Sequence, residues 1–313
     1  MSTSRSLTRR RRTVAAIAAT LALGVLAACG DDEPGDAAGD PTSQAADPTT
    51  DTASPTVQPE TSDPATEVPT DAPGPDVIPV YYVGDTPQGD RLFREFTQAS
   101  GVDKLVAAAA AVTTGDPVDP DYRTLWPTGR FASVEQADDA IVVGLADDTW
   151  LTRGRLDRAR ARLAVQQLVY TLQGTIGERL PVRVELDGQP AGTLLGIPVR
   201  DGLKARPQLD VLALVNITEP AEGSVVGKRF TASGRASSFE ATHIWQVEDA
   251  SGKVVLEGSA MAEGWIDKLW PWEVEIDARK LPPGRYTFVA RTDDPSNGEG
   301  GGPTEDTKRI RIE

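Results

Sequence analysis

The sequence predicts an α+β domain, a small sheet with helices on one face, followed by an all-β two-sheet sandwich, both behind a disordered N-terminal stalk. Three observations predict this. Between residues 78 and 203, short β-type runs are mixed with two stretches of helical periodicity. From about residue 208 helical periodicity stops, and about seven short apolar runs follow, most of them closed by turn residues. Residues 30–77 hold twelve acids, no Lys or Arg and no aromatic ring.

Composition excludes several chemistries. The chain has 313 residues, one Cys and one His. One Cys forms no internal disulfide, and one Cys with one His cannot build a zinc cage of about four ligands. No metal or cofactor is expected. The net charge of −15 argues against nucleic acid, because phosphate contacts need a basic surface.

Residues 1–28 carry five Arg and no acid, followed by an apolar run from Val14 to Leu26. That run falls short of the roughly 20 residues needed to span a bilayer. A basic start, a short apolar stretch and small closing residues describe an export signal. The closing residues Leu26, Ala27, Ala28 and Cys29 resemble the bacterial lipobox. The resemblance implies cleavage before Cys29, acylation of its sulfur, and anchoring on the extracytoplasmic face of the cell membrane. An uncleaved transmembrane anchor is the weaker reading on length. After cleavage 27 basic and 47 acidic residues remain, a net of −20.

Residues 29–77 then form a linker. Pro, Thr and Asp dominate, large aliphatics are isolated, and such a chain buries too little apolar area to offset its ordering entropy. Its like charges and prolines extend it. The alternative to a plain spacer is glycosylation of Thr49, Thr50, Thr52 and Thr56.

The first folded domain is expected at 78–203. Ile78–Val83 reads as a strand closed by Gly84-Asp85, and Arg91–Phe96 as a second strand. Asp103–Val112 reads as a helix stopped by Gly115. Asp138–Leu145 is a strand, and Gly154–Gly174 the longest helix, with Val165, Leu168 and Leu172 on one face. Val182–Leu186 alternates and ends in the hairpin-type turn Asp187-Gly188. The acid pairs Asp138-Asp139 and Asp147-Asp148 have no spacing that marks general acid/base chemistry. Val80-Tyr-Tyr-Val83, Gln166-Gln-Leu-Val-Tyr-Thr-Leu172 and Val182-Arg-Val-Glu-Leu-Asp-Gly188 resemble the GerMN domain of bacterial sporulation and germination proteins. The resemblance implies a non-enzymatic module of the cell envelope with no catalytic residues.

Arg155, Arg158 and Arg162 lie on one face of the long helix. They are a candidate patch for anionic headgroups, wall polymers or an acidic partner, against the simpler reading of a solvated face.

The second domain is expected at 208–313, as strands near Val211–Ile217, Arg229–Ala232, His243–Val247, Val254–Leu256, Trp270–Ile276, Tyr286–Ala290 and Ile310–Ile312. Seven strands in about 105 residues suggest an immunoglobulin-like sandwich, and Leu281–Tyr286 a tyrosine corner. Gly234–Glu240, His243-Ile-Trp245, Trp270-Pro-Trp-Glu273 and Gly284-x-Tyr286 resemble the immunoglobulin-like domain of bacterial spore germination. This implies a surface role without a named mechanism. Trp270 and Trp272 are expected in the core, and His243 on or beside it. Trp265 is the candidate exposed ring for wall glycan. Asp293–Glu299 lacks the ligand spacing of a calcium loop.

Together these readings describe a lipid-anchored, non-enzymatic envelope protein with an envelope protein partner, sporulation- or germination-related through its family resemblance. A glycan-binding lipoprotein is the alternative. Residues 78–313 carry 35 acids and 27 bases, a net of −8, so most of the net negative charge left after cleavage lies in the linker.

Overall fold

The computed structural model describes residues 77–99, 103–293 and 302–313. Cys29, Leu26, Ala27, Ala28 and most of the linker lie outside the described residues, as does most of the loop weighed for calcium.

The expected α+β and immunoglobulin-like architectures are both present. The first region is layered around a central helix. A hairpin of β1 (Val77–Thr86) and β2 (Gly89–Gln98) lies on one side. On the other, β3 (Phe131–Gln136), β4 (Ile141–Leu145), β5 (Val182–Leu186) and β6 (Gln189–Pro190) form a sheet in that order. β4 and β5 are parallel, joined through the long helix. Alternation buries Ile141, Val143, Val182 and Val184 on one face, while Arg183 stays outside on Asp139. Short strands β7 (Thr193–Leu194) and β8 (Ile197–Pro198) follow.

Helix α1 (Lys104–Thr114) starts where Asp103 accepts from the Leu105 and Val106 amides and ends at left-handed Gly115. Helix α2 spans Arg158–Ile176, not Gly154–Gly174. Asp157 caps it by accepting from the Arg160 amide, and the preceding Gly154 has a left-handed backbone. Nor is it a one-faced helix. Every residue from Leu163 to Gln173 is buried. Its polar side chains hold the chain wrapped around it. Gln166 donates to the Lys204 carbonyl and accepts from the Arg206 amide, Gln173 donates to the Leu180 carbonyl, and Thr171 accepts from the Tyr81 amide. Burying those amides is tolerated because each is paired. β3 escapes the sequence reading because only Phe131 and Val134 on it are large apolar residues.

The expected strand at Val211 is instead a short helix, α3 (Gln208–Val211). Val211 and Leu212 dock beside Tyr81, Val83, Leu92, Tyr170 and Leu269. The strand, β9, begins at Val215 and runs to Glu219. β10 (Val225–Val226), β11 (Arg229–Ala236), β12 (Thr242–Glu248), β13 (Val254–Met261), β14 (Trp270–Asp277), β15 (Gly284–Thr292) and β16 (Glu305–Ile312) complete two sheets. Their orders are β10-β16-β15-β12-β13 and β14-β11-β9. Ile217, Trp272, Ile276, Phe288, Ile310 and Ile312 fill the space between them. Tyr286 donates its hydroxyl to the Pro282 carbonyl at 2.9 Å, the tyrosine corner.

His243 and Trp272 meet between the sheets, their ring centroids 4.5 Å apart. His243 is fully buried, and neither ring nitrogen has a partner among the described residues. Burial lowers its pKa to about 4, so it stays neutral near pH 7. It is a core residue.

Candidate interaction surface

A buried polar junction joins the two regions. Lys308 on β16 donates to Asp119 at 2.6 Å, to Asp306 at 2.9 Å and to the Tyr122 hydroxyl at 2.6 Å. Asp306 also accepts from the Tyr122 hydroxyl at 2.7 Å, the Asn216 amide group at 3.1 Å and the Ile217 backbone at 2.6 Å. Burial alone would lower the Lys308 ammonium, but the Asp306 and Asp119 carboxylates outweigh it and hold its pKa above the ordinary value. Burial, with those carboxylates, also raises Tyr122 well above its ordinary value. A charged, fully hydrogen-bonded group of this kind fixes geometry more than it adds stability. Sequence reasoning missed it, because Asp119 and Lys308 are 189 positions apart.

The arginine patch assembles differently from the expected one. Arg155 precedes α2 and shares no helical face with Arg158 and Arg162, because the cap falls at Asp157. Arg162 instead lines a cavity of about 390 Å³ with Arg91, Arg160 and Arg206, beside Asp90, Asp157 and Asp210. Arg160 is paired to Asp90 at 3.0 Å and Arg206 to Asp210 at 2.9 Å. Four arginines against three carboxylates leave a single net positive charge along this lining, and no two arginines are held opposite one another there by strand pairing.

The acid pairs have structural uses. Asp139 is held below its ordinary pKa by hydrogen bonds from Arg183. Asp147, likewise lowered, accepts from Thr149 at the start of a short 3-10 turn. Among the described residues no group of three His, Cys, Asp or Glu is placed to hold a metal ion, and no helix is long and apolar enough to cross a membrane.

Trp265 lies 38% exposed on one end of the sandwich, in the β13–β14 loop. It has company there that the sequence reading did not name. Phe239, Met261 and Ile266 are 54%, 70% and 65% exposed. Phe239 meets Trp265 edge to face at 5.2 Å and 78°. Met261 ends β13 opposite Thr242, just after the Phe239 turn. Exposed apolar side chains scattered singly need no explanation, but a contiguous group marks an interaction site. The same loops carry backbone strain. Glu240, Ala241 and Ile266 have φ of 52°, 60° and 86°, and positive φ is costly for a β-branched residue such as Ile266.

Trp270 is half-buried, with Lys268 4.1 Å above its ring, and Trp272 is buried, so neither is offered to a partner. The signal for the missed residues was present in part. A longer alternating reading of β13 would have carried it outward to Met261.

Residues 79–192 match the family described as "Sporulation and spore germination", and residues 214–299 match "Immunoglobulin-like domain of bacterial spore germination". No curated protein matches the chain. Among solved structures, the tandem GerMN domains of the sporulation protein GerM from Bacillus subtilis are similar at 12% identity, over 66% of this chain and 63% of that one, with a TM-score of 0.33. CopC from Methylosinus trichosporium OB3b is similar at 21% identity, over 32% of this chain and 93% of that one, with a TM-score of 0.22. A putative lipoprotein from Clostridium perfringens is similar at 13% identity, over 38% and 78%, with a TM-score of 0.25.

Proposed function

Because the chain carries a sporulation and spore-germination domain followed by a germination-type immunoglobulin-like domain, we propose that it is a lipid-anchored, non-enzymatic envelope protein that presents both outside the membrane for docking to another protein. Cys29, after Leu26, Ala27 and Ala28, is the acylation site, and the acidic linker sets the reach of the folded part. The observation that carries the docking role is the apolar end formed by Phe239, Met261, Trp265 and Ile266. It joins two aromatic rings with Met261, and aromatic residues and Met are enriched at the cores of protein interfaces.

The glycan reading stands second, favoured by the exposed Trp265. A sugar needs a free ring face, however, and here Trp265 is the less exposed ring and packs against Phe239.

Mild crosslinking in the native cell, with Met261→Asp and Ile266→Asp as variants, tests the proposal. A discrete protein adduct that disappears in both variants is expected. An adduct that survives both overturns the docking role. Saturable binding to isolated wall glycan that is lost in Trp265→Ala selects the second reading. Release of Cys29→Ser into the medium is the expected result for the anchor.

A further inference from the structure

The outer face of the five-stranded sheet carries a charge arrangement that its own packing does not explain. On antiparallel β15 and β16, Arg285 stands directly opposite Arg311, and Thr287 opposite Arg309. Directly opposed residues point to the same side of a sheet, and so do residues two apart on one strand. Tyr286, Phe288, Ile310 and Ile312 face the core, so all three arginines point outward together. Like charges directly opposite one another destabilise a sheet. The register fixes their strands, so only the side chains can move apart.

The rest of the face shows the contrast. Further along the same two strands Arg291 is opposite Glu305, a complementary pair. At the arginine end the available carboxylates are already committed. Glu222 takes the Arg309 backbone amide at 2.7 Å and its guanidinium at 2.8 Å. Glu313 is 3.5 Å from Arg311. No ion pair or hydrogen bond within the described residues neutralises the Arg285 guanidinium. The cluster borders a depression of about 550 Å³, lined also by Glu222, Val225 and Thr287.

We propose that this depression binds a phosphate-type oxyanion, held between the guanidiniums of Arg285 and Arg311, with Arg309 beside them. Arg285 and Arg311 line the same depression, and a guanidinium presents paired N–H donors in a planar fork that matches the oxygens of a phosphate group bidentately. The bound anion relieves the repulsion that the free sheet carries. Arg309, kept in place by Glu222, closes one side, and the Thr287 hydroxyl lies opposite it on the same face. The site is separate from the apolar docking end and does not depend on it.

The test uses the full chain and inorganic pyrophosphate at low salt, read by calorimetry and by thermal unfolding. Saturable binding is expected, with a rise in melting temperature. Arg285→Gln and Arg311→Gln each lower affinity about tenfold or more. Arg285→Gln also raises the melting temperature of the anion-free protein, since it removes the opposed charge. An arginine without an anion-binding role would give the rise in the anion-free protein but no loss of pyrophosphate affinity. Arg183→Gln, on the other region, is the control and leaves binding unchanged. Absence of saturable binding, or affinity unchanged in both sheet variants, overturns the proposal. Vesicles of phosphatidylglycerol and of phosphatidylcholine separate a lipid headgroup from a soluble phosphate. Arg285-dependent binding to the former alone assigns the anion to lipid.

Discussion

Replacing Lys308 by Met tests whether the charged junction holds the two regions together. The side chains of Lys308, Asp119 and Asp306 are 5%, 1% and 2% exposed. Losing one partner of a buried pair costs about 3–5 kcal/mol, mostly because the other charge is left uncompensated. Here two carboxylates are left. Asp306 keeps three donors, from Tyr122, Asn216 and Ile217. The Asp119 oxygen facing Lys308 loses its ion pair outright. Lys308→Met should therefore cost about 5 kcal/mol, the upper end of that range. Adding Asp119→Asn to it should recover a large part. Urea unfolding of the four proteins of the cycle at pH 7, followed by Trp fluorescence, measures both. Alkaline titration adds a sign. A lysine whose folded pKa is raised contributes stability below its ordinary value near 10.5 and loses it as pH rises through the raised value. Tyr122, also raised, pulls the same way above its ordinary value of 10, and Lys308→Met removes only the lysine part. A cost under about 1 kcal/mol, or independent effects of the two substitutions, would refute the reasoning.

Two further outcomes follow from the sandwich core. His243 is neutral in the fold and binds a proton more readily when unfolded, because burial lowers its folded pKa from 6.5 to about 4. Stability should fall by about 3 kcal/mol as pH drops from 6.5 to 4 and then cease to fall on this account; a His243→Phe protein that shows the same acid slope between those values would rule it out. At Gly234 an added Cβ would meet the Asn216 carbonyl oxygen at 2.0 Å and Trp272 at 2.8 Å. Gly234→Ala should cost about 3 kcal/mol by overpacking, and a melting temperature within 2 °C of the parent would show that the strands yield freely.

Some elements were legible because their signals are local. Asp103 and Gly115 bracket α1 with side-chain and backbone chemistry at fixed offsets. Asp187 and Gly188 take the positive φ of 52° and 71° that their hairpin requires. The alternation of Trp272 and Ile276 with Glu273 and Glu275 states which face of β14 is inside. Other elements were not legible because a tertiary neighbour outweighs the local pattern. The Gln-rich sequence of α2 does not read as a helix buried all round, since its amides are paired only by segments near residues 180 and 204–206. β16 reads as polar until Asp306 and Lys308 meet Tyr122 and Asp119.

The candidate surfaces divide in the same way. Trp265 could be named from its Gly-flanked loop, whereas Phe239 and Met261 join it only once β12 pairs with β13. Sequence placed Arg155 with Arg158 and Arg162 by helical spacing, and the cap at Asp157 separated them.

By itself, then, the sequence determined the two architectures and the acidic character of residues 30–77, because composition, turn residues and periodicity act within a few positions. Only the tertiary structure decided what those surfaces present. Strand register set Arg285 against Arg311, and sheet packing brought Lys308 to Asp119. Pairings across such distances are chosen by the burial of the whole core and leave no mark at either position alone.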